Sequence, residues 1–132
     1  MAVLDINTDG WLDMFIGTCT GTEIWINVPP TDLVFTYPDG LPATLAPITP
    51  TTFRVSVSGT GSTPAPGTGQ QFVSVNGGPF VQSAMTQLSP NVYEVSLPAV
   101  ACTSTIRFYV SVETTGAVEV TDPSGAPAAA FS

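Results

Sequence analysis

The sequence predicts an all-β chain, with a small three-stranded meander leading into a seven-stranded sandwich. Three observations carry that expectation. Apolar and polar residues alternate in short runs such as Phe53-Arg54-Val55-Ser56-Val57-Ser58 and Val92-Tyr93-Glu94-Val95-Ser96-Leu97, the period of a half-buried strand. No stretch shows the helical period of about 3.6 residues. Between the runs, 12 glycines and 13 prolines recur as turn signals, a density that suits short strands and not helices.

The elements follow in order. Residues 2–6, 13–18 and 22–27 read as the meander, and Thr18 to Thr22 turn around Gly21. Glu23-Ile24-Trp25-Ile26-Asn27 alternates as a half-buried strand should. A sheet this small is marginal alone and needs something to pack on. Pro29-Pro30 stops the third strand and stiffens the junction, so the first unit is 1–30. The second is 31–121, followed by a Pro- and Ala-rich tail, 122–132, expected to be extended.

Within the second unit Leu33–Tyr37 is closed by the turn Pro38-Asp39-Gly40. Residues 41–50 are an extended connector, and 59–69 form a long exposed loop. Strands over 71–75 and 80–83 flank Asn76-Gly77-Gly78, a hairpin signal. Ile106–Val112 is the longest and most apolar run, hence central, and 118–120 follows Thr115-Gly116. With 53–58 and 92–97 these make seven strands, the pattern of an immunoglobulin-like or fibronectin-III-like sandwich.

The connection between the first two strands carries chemistry. Asp5, Asn7, Asp9 and Asp13 place side-chain oxygens at short intervals, with Gly10 at the tight turn and the Trp11 carbonyl available between Asp9 and Asp13. Ca²⁺ takes about six to eight oxygen ligands, and three carboxylates this close repel one another without a cation between them. The loop is not an EF-hand: the twelfth position from Asp5 is Ile16, and the flanks are short apolar strands.

The run Val3–Gly17 resembles an FG-GAP/VCBS-type repeat, the calcium-binding blade repeat of integrin-like and bacterial extracellular propellers. The resemblance implies Asp5, Asn7, Asp9, the Trp11 carbonyl and Asp13 as ligands, with Asn7 standing where an Asp is frequent. It covers about the first 28 residues, at most one blade where a propeller needs several. The second unit is similar to a β-sandwich domain of large secreted bacterial proteins, through Gly40-Leu41-Pro42, the stretch from Tyr93 to Cys102 and Asp122-Pro123. That likeness implies fold and compartment, and no catalytic residue.

Charge and cysteines bound the rest. Ten acids against Arg54 and Arg107 give a net charge of -8, with no Lys and no His. Such a chain is not expected to bind nucleic acid or insert into a membrane. Without His, Ser-His and Cys-His nucleophiles are excluded. The acids outside the loop (Glu23, Asp32, Asp39, Glu94, Glu113, Glu119, Asp122) are scattered as strand-face and turn carboxylates, so no enzyme is expected. Cys19 and Cys102 either pair, which in an oxidising compartment is worth on the order of 4 kcal/mol, or stand apart as two buried thiols. Met1 opens directly into an apolar strand with no cleavable leader ahead of it, so the sequence reads as a mature chain or a piece of a larger one.

Two functions are therefore expected. The first is a calcium-stabilised extracellular structural module, self-associating through exposed strand edges into a filament or serving in an adhesin. The alternative is a module that binds other cell-surface proteins or glycans, with Trp11, Trp25, Tyr37, Tyr93 and Tyr109 as candidate stacking residues.

Overall fold

The computed structural model describes residues 2–4, 6, 12–18, 21–25 and 33–132. The chain divides into two compact units, Met1–Pro30 and Thr31–Ser132. All the described secondary structure is β, in three antiparallel sheets.

The first unit is a meander of β1 (Ala2–Leu4), β2 (Asp13–Thr18) and β3 (Gly21–Trp25), with β2 in the middle. Phe15 lies opposite Ala2 on one side and Ile24 on the other, while Met14 lies opposite Val3 and Trp25. Successive strand residues point to opposite faces, so each face carries its own apolar row. A sheet with one dry side would show apolar residues on one face only. This one is apolar on both, and Val3, Leu4, Leu12, Ile24 and Trp25 are 46–63% exposed.

The second unit contains β4 (Leu33–Thr36), β5 (Thr51–Gly59), β6 (Gln70–Val75), β7 (Val81–Ala84), β8 (Thr86–Ser89), β9 (Val92–Leu97), β10 (Ile106–Glu113) and β11 (Glu119–Asp122). Its sheets run β4-β5-β9-β8 and β11-β10-β6-β7. With the eight strands lettered A, B, C, C′, D, E, F and G in chain order, those orders become ABED and GFCC′, the arrangement of immunoglobulin sandwiches. The described residues of the unit therefore form eight strands, one more than expected. The extra one is β8, an edge strand whose residues are all exposed. No face of it is buried, so it carries no alternation to read.

The core lies between the sheets, where β4, β5, β6, β9 and β10 supply buried inward residues and Val120 of β11 packs against them. Val55, Val95, Leu97, Val110 and Val112 are wholly buried, and Phe53, Val57, Tyr93 and Phe108 nearly so. Each such side chain contributes about 1.5–3 kcal/mol on leaving water. β10, expected to be central, is paired on both sides, with β6 and with β11. A polar tie also joins the sheets: the Gln71 side-chain amide donates to the Ser96 carbonyl and accepts from the Ser96 N–H, both at 2.9 Å. It links β6 to β9, one strand from each sheet.

Turn chemistry behaves as written. Asn76 and Gly77 both have positive φ, 52° and 74°, and the Gly78 N–H closes onto the Val75 carbonyl at 3.0 Å, a type I′ hairpin turn. Gly69 is needed for a different reason. A Cβ there would sit 2.8 Å from Met85 and from the Tyr93 ring, so no larger residue fits beside that part of the core.

Two connections differ from expectation. The loop 59–69 is not freely exposed: Pro64 is buried and bridges Thr114, and Ala65 and Thr115 donate to the carbonyls of Glu113 and Thr63. Buried backbone must find partners, and the end of β10 supplies them. The tail is not extended either. It turns back through residues 124–129, and Phe131 pairs with Phe108 through two backbone hydrogen bonds of 2.8 and 2.9 Å. Its ring meets Tyr37 and Phe108, so a terminal apolar side chain, invisible to periodicity, decides the path. No helix among the described residues is long and apolar enough to cross a membrane.

Candidate functional site

Asp13 opens β2 opposite Leu4 and is fully buried. Its Oδ2 accepts the backbone N–H of Ile6 at 2.8 Å, which ties the exit of the 5–13 loop to its entrance. A carboxylate shut away from water is costly unless its oxygens are satisfied, so this bond holds the loop ends together and keeps Asp13 facing in. Asp5, Asn7, Asp9 and Trp11 lie outside the described residues. Among the described residues no group of three His, Cys, Asp or Glu side chains converges. The donor chemistry of the one described ligand candidate fits a hard cation: an inward, acceptor-only carboxylate oxygen at the base of an acidic loop. Of the cysteines, Cys102 is exposed, not buried as the two-thiol alternative has it, and Cys19 lies outside the described residues.

The aromatic candidates disperse. Tyr93 is core, and its hydroxyl accepts the Gly67 N–H at 3.0 Å. Tyr37 is half-buried and donates to the Asp122 carboxylate. Burial first, then that bond and the Asp122 charge, push its hydroxyl far above the ordinary tyrosine range. Trp25 is 63% exposed, with its indole N–H on Glu23 at 3.2 Å.

Among the described candidates Tyr109 alone belongs to a surface cluster. It stacks on Phe72 across the β6–β10 pair, with ring centroids 4.4 Å apart and planes within 4°. Phe80 meets Tyr109 edge-on at 5.1 Å, and the Arg107 guanidinium lies 5.9 Å from the Phe80 ring. Burial and the nearby Glu119 raise the Tyr109 pKa. Phe72 and Phe80 are the residues sequence reasoning missed. The hairpin signal at Asn76-Gly77 placed them near one another, but their meeting with Tyr109 depends on cross-strand register.

Two of the scattered carboxylates, Asp39 and Asp122, hold structural partners. Arg54 grips Asp39 in a fork, Nε to Oδ2 at 2.9 Å and Nη2 to Oδ1 at 2.7 Å. The Arg54 hydrogen bond holds the Asp39 carboxyl below its usual range. This pins the Pro38-Asp39-Gly40 turn onto β5, and Asp122 is occupied by Tyr37.

What the fold defines is a β-sandwich of immunoglobulin strand order, preceded by a separate three-stranded sheet. No protein-family model matches the chain, and no curated protein matches it at a significant level.

Proposed function

We propose that the chain is a non-catalytic, calcium-stabilised structural module of the cell exterior, which joins copies of itself through the N-terminal sheet. The observation that carries this reading is the two-faced apolar sheet of the first unit. Its rows Ala2–Phe15–Ile24 and Val3–Met14–Trp25 and its edge strands β1 and β3 offer surfaces for association. Calcium at Asp5, Asn7, Asp9, the Trp11 carbonyl and Asp13 would order the connection between β1 and β2 and cancel part of the loop's charge. The occupied carboxylates Asp39 and Asp122 support a non-catalytic role. Sedimentation velocity and negative-stain microscopy, with calcium and with a chelator, test the reading. Oligomers or fibres that dissolve on chelation are expected; monomers under both conditions would overturn it.

A second reading rests on Phe72, Tyr109, Phe80 and Arg107. Aromatic rings edged by polar side chains suit the stacking of a sugar or a partner's side chain. Glycan-array binding that disappears in Tyr109→Ala, with the fold intact, would favour it over self-association.

A further inference from the structure

β4 and β11 end their respective sheets, and they face each other across a groove of about 580 Å³. The hydrogen-bond pattern shows which of their backbone groups point away from the sheets. Val57 gives its N–H to the Asn91 carbonyl at 2.8 Å, away from β4. Phe35, opposite Val57, therefore sits in a non-hydrogen-bonded pair and turns its own N–H and C=O outward, as does Leu33 two residues earlier. On the other edge, the Thr114 N–H bonds the Val118 carbonyl at 2.8 Å. The next pair, Glu113 with Glu119, is then the non-bonded kind, and Glu119 and Thr121 turn their backbone groups outward. Among the described residues no backbone hydrogen bond joins the two edges. They meet through side chains, the Tyr37 hydroxyl on the Asp122 carboxylate.

The edges are unequal. β4 reads Leu-Val-Phe-Thr, β-prone and without the charge, proline or bulge that guards an edge. β11 presents Glu119 and Asp122, and no cation lines the groove. Nor can another copy of this chain readily supply one. Its only cations are Arg54, committed to Asp39, and Arg107, which donates to the carbonyls of Pro127 and Ala128. A second copy also brings its own charge of -8.

We infer that this groove takes an extended strand from a different, basic protein partner. The strand adds to β4 through the outward backbone groups of Leu33 and Phe35, lays one apolar row over Phe35 and Val120, and directs Lys or Arg from its other face to Glu119. The inference is independent of self-association through the N-terminal sheet, and neither test bears on the other.

The probe is a short labelled peptide of alternating valine and lysine, titrated into the full chain by fluorescence anisotropy. Three comparators accompany it: the same peptide N-methylated along one edge, its glutamate counterpart, and the variant Glu119→Lys. Saturable binding of the lysine peptide is expected, weakened about tenfold or more by N-methylation, which removes main-chain hydrogen bonds. Glu119→Lys should weaken the lysine peptide and strengthen the glutamate one, and amide exchange should slow at Leu33 and Phe35. No binding up to millimolar peptide overturns the inference. So do equal affinity of the N-methylated peptide, indifference to Glu119→Lys, or protection that falls on β7 or β8 instead.

Discussion

The N-terminal sheet and the sandwich are written in the same alphabet of short apolar strands, yet they use it in opposite ways. In the sandwich the central strands β5, β9, β6 and β10 each have an inward row, and two facing sheets close those rows into a dry core in which Val55, Val95 and Val110 have no exposure. In the meander both faces are apolar, and Ile24 and Trp25 remain more than half exposed. A second layer is what separates them. Hydrophobic burial scales with the apolar area removed from water, and a lone sheet has nothing within itself to remove that area against. The difference predicts where mutations register as stability and where they register as association.

The largest effect should come from Tyr93→Ala, which empties a core site and strips the hydroxyl that accepts the Gly67 N–H. A loss of about 3–5 kcal/mol in urea unfolding is expected. Phe15→Ala in the meander should leave the midpoint of the sandwich unchanged and alter only the sedimentation profile. A comparable loss of stability from both would erase the contrast.

Phe131→Ala comes next, at about 2–3 kcal/mol because the ring is only half-buried. It should also speed amide exchange at Phe108, whose N–H bonds the Phe131 carbonyl. Gln71→Leu follows at about 1–2 kcal/mol, since it strands both backbone groups of Ser96 where solvent can partly reach them. An unchanged midpoint in Gln71→Leu would mean that packing alone holds the two sheets in register.

The smallest effect is one of pH. The Tyr37 pKa is raised in the folded state above its ordinary value of 10.0, so the folded chain holds that proton more tightly than the unfolded chain does. The stabilisation is therefore complete below pH 10 and is lost as pH rises beyond it. The melting temperature should fall from that point upward, and Tyr37→Phe should flatten the decline relative to the parent. Equal slopes would remove Tyr37 as the cause.

Much of the fold was legible because alternation reports burial directly. Phe53, Val55 and Val57 alternate with polar residues, which puts them on one side of a strand, and all three are buried. The hairpin at Asn76-Gly77 was legible because positive φ at both positions suits few other residue pairs. β8 was not, since it buries no face and, unlike the equally exposed β7, follows no hairpin signal such as Asn76-Gly77. Nor was the return of the tail, because a single Phe131 has no period. Of the candidate calcium loop the structure places Asp13 alone, buried and bonded to Ile6; the other four residues of the set lie outside the described ones.

By itself, then, the sequence determined that the chain is β, where its strands alternate and where it divides, because side-chain period and turn residues act locally. The tertiary structure decided which strands share a sheet, that Phe72, Phe80 and Tyr109 form one cluster, and that β4 and β11 face each other as edges unpaired among the described residues. Those outcomes depend on register and sheet order, and contacts between residues far apart in the chain leave no mark on the local pattern.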